Sequence, residues 1–189
     1  MSPKTTVSKL VSRPSVIRAA FSLYLFFCQT ASSSESRIVE VHEVNGLYSI
    51  YAEAHLSAEP ERVWSNLTNC AKAKDFVPYL ISCRILKEDK TSRWDIRENI
   101  SAPPLSPKVR TVIRNEFRQN EFSYHLISGD LKFSEGYWKV ARDVRGTRII
   151  YSARFEPTIF TPKFLITNAL QRNVADMFMK LDRLSEGKL

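Results

Sequence analysis

The sequence has few of the residues from which catalytic and metal sites are built. Its 189 residues include three histidines, three cysteines and five glycines. His42, His55 and His125 have no metal-ligand spacing, and no cluster of cysteines or carboxylates stands beside them. A nucleophile elbow and a glycine-rich phosphate loop are also missing. The sequence therefore predicts no metal, no cofactor and no catalytic set.

Positive charge is in excess, but it is unevenly distributed. The formal net charge is +8, and positions 1–31 hold four basic residues and no acidic one. The rest of the chain has 24 basic and 20 acidic residues, a balance that argues against a nucleic-acid-binding surface. The basic side chains of the later strands form either an ordinary solvated face or a surface for transient membrane contact: Arg110, Arg114, Arg118, Lys132, Lys139, Arg142, Arg145 and Arg148.

Residues 1–33 have the organisation of a secretory leader. A basic region precedes a ten-residue apolar run, residues 19–28, and small residues follow. The run is too short to span a bilayer, which needs about 20 apolar residues. Because the apolar block is continuous, export to an extracytoplasmic compartment, periplasmic or secreted, is favoured over the alternative of a mitochondrial transit peptide. Residues 34–45 are predicted to be a flexible arm. An extra edge strand is the alternative, because the segment contains four apolar residues: Ile38, Val39, Val41 and Val44.

Residues 46–189 predict one α+β domain. Apolar and polar residues alternate from Leu47, and Pro60 marks the start of a short helix, with a second helical turn near Phe76. Six further alternating runs between residues 81 and 155 bring the total to about seven strands, whose short turns predict antiparallel pairing. A long amphipathic helix follows, and its apolar stripe must cover one face of the sheet. The stripe consists of Ile166, Leu170, Val174, Met177, Leu181 and Leu184.

Several segments of this pattern resemble the START-like, polyketide cyclase/dehydrase superfamily, whose helix-grip fold wraps a curved sheet around the last helix. Residues 58–64, AEPERVW, resemble the entry to the family's first helix. Residues 76–78, FVP, resemble its second helix, and residues 135–138, EGYW, its Gly-x-Trp strand. The similarity is greatest to the coenzyme Q-binding protein-like branch, over residues 46–185. Asn69-Cys70 departs from the Asp-Tyr pair common in the family, so no role of that pair is carried over.

The resemblance implies a cavity between the sheet and the last helix that holds a hydrophobic small molecule, such as a lipid, a quinone or a polyketide. Alternation along the strands and the helix stripe supply the candidate lining residues, and Phe76, Pro78 and Tyr79 are candidates for a gate. For each residue taken alone ordinary core packing is favoured, but the set as a whole favours a pocket. The lining candidates are Trp94, Ile96, Glu98, Phe122, Tyr124, Leu126, Trp138, Tyr151, Phe155, Ile166, Leu170, Val174 and Met177.

Glu98 is unusual because alternation aligns it with Trp94 and Ile96. A buried carboxylate needs a partner or becomes neutral, so Glu98 is a candidate for holding a polar headgroup or assisting a cyclisation. The competing interpretation puts Glu98 at the rim, paired with Arg97 or Arg110.

Cys70 and Cys83 are the cysteines that remain beyond the leader. An even number in an exported chain permits a disulfide. Two buried thiols are slightly favoured instead, because the domain is large enough to fold without the bond.

Three functions follow from the sequence. Non-catalytic binding or transport of a hydrophobic small molecule is favoured. A cyclase or dehydrase-like enzyme is the first alternative and requires Glu98 or Tyr124 to face a void. A protein-interaction module of the same fold is the second. The sequence predicts no particular oligomeric state.

Overall fold

An antiparallel sheet forms the frame of the protein. The computed structural model describes residues 37–104, 106–158 and 163–188, and the predicted leader lies outside them. The strands of the described part are β1 (Arg37–Val44), β2 (Leu47–Leu56), β3 (Leu80–Glu88), β4 (Trp94–Ser101), β5 (Val109–Arg118), β6 (Glu121–Gly129), β7 (Leu131–Asp143) and β8 (Gly146–Pro157). They form one sheet in the order β1-β2-β8-β7-β6-β5-β4-β3.

The helices lie at the two points that the sequence predicts. Helix α1 (Pro60–Thr68), a 3-10 helix (Cys70–Lys72) and α2 (Ala73–Phe76) join β2 to β3, and α3 (Lys163–Glu186) follows β8. Helix α3 packs against β1, β2, α1 and α2. This arrangement confirms the predicted α+β class and helix-grip element order. No helix in the described ranges is long and apolar enough to cross a membrane.

Strand β1 corrects the expectation of a flexible arm over residues 34–45. All eight of its residues pair with β2, from Arg37 opposite Ala54 to Val44 opposite Leu47. The reason is the turn: Asn45 and Gly46 have φ values of 52° and 85°, as a two-residue type I′ hairpin requires. An Asn-Gly pair between two apolar runs is a strong hairpin signal, and it is legible in the sequence.

The sheet has one face covered by helices, here called the inner face, and an opposite outer face. Strand β2 directs Tyr48, Ile50, Ala52, Ala54 and Leu56 inward, and each is 4% exposed or less. This matches the predicted alternation. Val63 of α1 and Phe178 and Leu181 of α3 are fully buried against the same face, in one core.

Buried polar contacts lock α1 to α3 at one end of this core. The main-chain N–H of Ala58 donates to Oδ1 of Asp182 at 3.0 Å, and Thr147 Oγ1 donates to the Ala58 carbonyl at 2.6 Å. Asn66 Nδ2 donates to Ser185 Oγ at 3.1 Å. Because these groups are satisfied inside the protein, their burial is tolerated, and the two helices meet in a fixed position.

Candidate functional site

An aromatic cluster occupies the centre of the inner face. The rings of Trp138 and Tyr151 stack with centroids 4.2 Å apart, and Phe122 lies 6.4 Å from Trp138 on the other side. Phe178 of α3 meets Trp138 edge to face at 6.1 Å, and Trp64 of α1 meets Phe122 in the same way. Such contacts contribute about 0.5–1.5 kcal/mol per pair beyond burial. The cluster thus fixes the helices over the sheet.

The helices cover the inner face of the sheet unevenly. Ala52, Val140 and Ile149 are almost fully buried. A neighbouring set of inner-face residues is only partly buried, and we call it the open strip: Thr111, Ile113, Tyr124, Leu126, Tyr151 and Phe155. Cross-strand pairing makes the strip continuous, since Ile113 lies opposite Leu126 and Gly136 lies opposite Tyr124 and Ala153. The helices therefore leave part of the inner face accessible.

Tyr124 and Tyr151 bring two phenol groups together in the open strip. Their hydroxyl oxygens lie 3.4 Å apart. Burial raises the pKa of Tyr124 well above its ordinary value, with a smaller contribution from Tyr151, and burial also raises the pKa of Tyr151. Desolvation disfavours the charged phenolate, so both groups are neutral hydroxyls at physiological pH. They can donate or accept hydrogen bonds.

Gly136 gives the Tyr124 ring its position. A Cβ at residue 136 would lie 2.5 Å from the Ser152 carbonyl oxygen and 2.7 Å from Oη and Cζ of Tyr124. Both distances are shorter than real contacts allow, so the absence of a side chain lets the Tyr124 ring lie on the strand. The Gly-x-Trp signature is visible in the sequence, but its contact with Tyr124 is not.

A buried charged cluster on β4 and β5 is a feature that sequence reasoning missed. Asp95, Arg97 and Asn115 are 5%, 8% and 2% exposed. Arg97 donates from Nη2 to Oδ2 of Asp95 at 2.6 Å and to the Thr68 carbonyl at 2.7 Å. Asn115 donates to Oδ1 of Asp95 at 2.6 Å. The cluster holds the C-terminal end of α1 on the sheet and compensates its own charge.

The predicted inner position of Trp94, Ile96 and Glu98 is wrong. These residues lie on the outer face, because the alternate residues Asp95 and Arg97 point inward. The Trp94 ring is instead covered by the guanidinium of Arg114, 4.6 Å from its centroid, in a cation–π contact. Asp95 and Arg97 can face the core because their opposite charges pair with each other, and the apolar Trp94 and Ile96 then face outward.

Glu98 is an outer-face ion-pair partner. Its carboxylate accepts from Arg110 Nε at 2.7 Å and from Arg84 Nη2 at 2.9 Å. These hydrogen bonds, that of Arg110 first, lower the pKa of Glu98 below its ordinary value. Pairing with Arg110 agrees with the competing interpretation from the sequence. A role for Glu98 inside a cavity has no geometric support.

The remaining candidates divide by position. Phe76 and Tyr79 belong to the helical connection between β2 and β3, residues 57–79, which we call the elbow. Phe76 is buried in the core at 2% exposure, whereas Tyr79, at the C-terminal end of the elbow, is 44% exposed and has a φ of 61°. The strand residues that face inward as predicted are Phe122, Tyr124, Leu126, Trp138, Tyr151 and Phe155. On α3, Val174 and Met177 are buried and Ile166 and Leu170 are partly buried. Ligand contact by any of them stays a prediction.

A disulfide joins Cys70 to Cys83, with their Cα atoms 5.4 Å apart. The slight preference for two free thiols is therefore wrong. Cys70 is the first residue of the 3-10 helix. Cys83 belongs to β3 and lies opposite Asn99 of β4. The fold thus brings residues 13 apart in sequence within bonding distance and ties the elbow to the edge strand.

The basic patch predicted for the outer face is largely neutralised. Arg110 pairs with Glu98, Lys132 with Glu156, and Arg148 with Glu53. Arg114 is also ion-paired, whereas Arg142 lies at an inner-face position at the end of β7 and pairs with Glu59 and Glu61. Exposed pairs of this kind contribute little to stability, but they reduce the local excess of positive charge.

A depression of about 410 Å³ opens beside the Tyr124–Gly136 contact. It is lined mainly by outer-face side chains, so it differs from the cavity that the resemblance implies under the helix. The lining residues are Ser123, Tyr124, His125, Glu135, Gly136, Tyr137, Ser152, Ala153 and Arg154. Within the described residues, no group of three or more His, Cys, Asp or Glu side chains could hold a metal ion.

Comparison with known proteins agrees with this geometry. The solved STAR-related lipid transfer protein of Xanthomonas axonopodis is similar at 15% identity and a TM-score of 0.67, covering 82% of this chain and 97% of that one. A START superfamily protein of Mycobacterium smegmatis is similar at 13% identity and a TM-score of 0.62, covering 76% and 99%. The Zhui aromatase/cyclase of a Streptomyces species is similar at 12% identity and a TM-score of 0.59, covering 80% and 94%.

At such identities these structures share the fold with this chain, and the sequence comparison supplies the family. No curated protein matches the chain. The family described as "polyketide cyclase / dehydrase and lipid transport" matches residues 56–182, which is more than half of the chain and spans the elbow, the strands from β3 to β8 and most of α3. The predicted resemblance to the superfamily is confirmed, and the chain belongs to the polyketide cyclase/dehydrase and lipid transport family.

Proposed function

We propose that the protein binds or carries a hydrophobic small molecule on the inner face of its sheet. The observation that carries this proposal is the open strip. Its side chains face the helix-covered side, as core residues do, yet they keep partial exposure beside the stacked Trp138 and Tyr151. Pockets for small ligands are mostly apolar with a few polar groups, and the strip combines Ile113, Leu126 and Phe155 with two phenols.

We expect the ligand to be a lipid, a quinone or a polyketide-like molecule. Resemblance to the coenzyme Q-binding branch favours a quinone among these. A ligand lying along the strip would contact Trp138 or its stacking partner Tyr151. Its binding should therefore change the fluorescence of the protein.

Extraction of the purified protein followed by mass spectrometry tests the proposal. We expect a co-purifying hydrophobic molecule, and we expect the emptied protein to bind members of a lipid and quinone panel with a change in tryptophan fluorescence. Leu126→Glu would add a charge to the strip and should abolish that change. Val144→Glu is the matched control, because Val144 is 95% exposed in the β7–β8 turn. A protein that emerges empty and binds no panel member would contradict the proposal.

We also propose that the protein works in an extracytoplasmic compartment. The leader-like segment at residues 1–33 motivates this, and the Cys70–Cys83 disulfide supports it, because disulfides persist in oxidising compartments. Cell fractionation with N-terminal sequencing is the test. A mature start within residues 29–36 outside the cytoplasm is expected, and a start near residue 20 inside an organelle would indicate a transit peptide.

Transient membrane contact would accompany loading of a lipid. Tyr79 and Ile127 are 44% and 49% exposed, and strand pairing brings both to the end of the sheet where β3 begins and β6 ends. Substituting both by Ser should reduce sedimentation with anionic vesicles. Val144→Ser, at the opposite end of the sheet, should have no effect. Equal sedimentation of all three proteins would exclude this contact.

A cyclase-like activity is the second candidate, because Tyr124 and Tyr151 supply neutral phenol groups that would donate a hydrogen bond to the carbonyl oxygen of a substrate. Incubation with a linear poly-β-ketone would test it. Cyclised product that disappears in Tyr124→Phe would support catalysis, whereas unchanged substrate bound to the protein would support binding alone.

A further inference from the structure

The Tyr124–Tyr151 pair has a hydrogen-bond donor to spare. Each phenol has one O–H donor, and the two oxygens are 3.4 Å apart. When one hydroxyl donates to the other, the hydrogen of the acceptor stays unused. Neither hydroxyl has another hydrogen-bond partner among the described residues. The open strip therefore offers one neutral O–H group to whatever lies on it.

Gly136 keeps this donor on the strip. Its missing side chain lets Oη and Cζ of Tyr124 occupy space that a Cβ would fill at 2.7 Å. Tyr151 is held from its other side by the Trp138 ring at 4.2 Å. Two rigid contacts thus fix the phenols before a ligand arrives, which reduces the entropy lost on binding.

The described strands offer a ligand no uncompensated positive charge on the inner face. The described strands carry arginines at three inner-face positions, and each has acidic partners. Arg97 pairs with Asp95 at 2.6 Å, and Arg142 pairs with Glu59 and Glu61 at the end of β7. Arg37, on β1, interacts with Asp182 and Asp176 of α3. An anionic headgroup moved there from water would lose its hydration without gaining a free cation.

We propose that the ligand's buried end is uncharged and carries a hydrogen-bond acceptor, such as an ester, ketone or quinone carbonyl, which accepts from the Tyr124–Tyr151 pair. This inference rests on the proposed binding function and narrows it to one chemical class. A fatty acid or another amphiphile with an ionised buried end would find no uncompensated arginine on the described strands of this face, so we expect it to bind more weakly. Gly136 acts as a positioning residue for the donor.

Three probes of equal chain length separate the possibilities: methyl laurate, laurate and dodecane. Their binding to the emptied protein is followed by tryptophan fluorescence at a pH where laurate is ionised. We expect methyl laurate to bind more tightly than laurate. In Tyr124→Phe/Tyr151→Phe, affinity for methyl laurate should fall by about 3- to 10-fold, as for loss of one neutral hydrogen bond. Affinity for dodecane, which has no acceptor, should not change.

Matched variants make the result specific. Tyr137→Phe removes a phenol from the outer face of the neighbouring strand, where Tyr137 is 38% exposed, and should leave all three affinities unchanged. Gly136→Ala should displace the Tyr124 ring and weaken methyl laurate binding as the double variant does. If Gly136→Ala fails to fold, the Phe variants still decide the question.

Each outcome has a distinct meaning. Laurate binding as tightly as methyl laurate, or an ester affinity unaffected in the double Phe variant, would overturn this inference while leaving hydrophobic binding intact. Failure of the three probes and of every member of the lipid and quinone panel to bind would contradict the proposed function itself, and failure of the three probes alone would overturn the inference.

Discussion

The guanidinium of Arg97 donates a 2.7 Å hydrogen bond to the main-chain carbonyl of Thr68 while its other contacts hold the Asp95 carboxylate. A cation at the C-terminal end of a helix complements the unpaired carbonyls there. The contact therefore joins the C-terminal end of α1 to β4. Together with the nearby disulfide, it fixes the elbow against the edge of the sheet.

Loss of Arg97 should destabilise the fold strongly. Arg97→Met would leave Asp95 buried with only Asn115 as a partner, and we expect the free energy of unfolding to fall by about 3–5 kcal/mol, as for breaking a buried ion pair. Urea unfolding measures this. Arg84→Met removes a pair whose arginine is 70% exposed and should cost at most about 1 kcal/mol. Adding Asp95→Leu to Arg97→Met should recover much of the loss, and no recovery would mean that the pair acts through more than charge burial.

Removal of the disulfide should have a smaller effect. Cys70 and Cys83 are 13 residues apart, and a loop of this size predicts a stabilisation of about 2–4 kcal/mol. Thermal unfolding with and without reductant should show the difference in the natural chain and none in Cys70→Ser/Cys83→Ser. Peptide mapping without reduction should recover the two cysteines in one linked peptide. Recovery as separate alkylated peptides would contradict the bond.

The buried phenols should make the protein less stable in alkali. A pKa raised by burial means that folding favours the protonated form of Tyr124 and Tyr151. Their contribution is fully present below the unfolded pKa of about 10 and is lost as pH rises toward the folded pKa. Denaturant unfolding between neutral and alkaline pH should show this decline, and Tyr124→Phe should flatten it. Tyr137→Phe should leave the slope unchanged, and a slope equally steep in both variants would exclude the buried phenols as its cause.

Glu98→Gln should not alter ligand binding, because its carboxylate lies on the outer face between Arg84 and Arg110. Since the pKa of Glu98 is lowered by these partners, its small contribution to stability is present above the ordinary glutamate pKa of about 4.3. It is lost as pH falls through the folded pKa. Ligand titration and acid unfolding of wild type and variant provide the measurements. Weakened ligand binding by Glu98→Gln would contradict the outer position.

Sequence reasoning worked best where a local signal was reinforced along a whole element. The inward set of β2, from Tyr48 to Leu56, and the apolar stripe of α3 follow from periods of 2.0 and 3.6 residues, and both agree with the structure. Helix α1 starts at Pro60 as predicted. Strand β1 could also have been predicted from the sequence, because Asn45-Gly46 is a recognised hairpin turn.

The sequence did not predict which face of β4 is buried, and the reason is physical. Alternation divides Trp94, Ile96 and Glu98 from Asp95 and Arg97, but it does not say which set faces the core. Hydrophobicity favours the first set. The second set points inward because Asp95, Arg97 and Asn115 satisfy one another and the Thr68 carbonyl, and these partners come from elements distant in sequence.

The sequence by itself determined the order of the elements, the family and the apolar character of the inner face, because these depend on local periodicity and short motifs. Only the tertiary structure decided which side of β4 is buried, that Cys70 bonds to Cys83, and that Gly136 seats Tyr124 beside Tyr151. Each of these depends on distances between residues on different strands and helices. The polar groups available to a ligand are therefore a property of the assembled sheet.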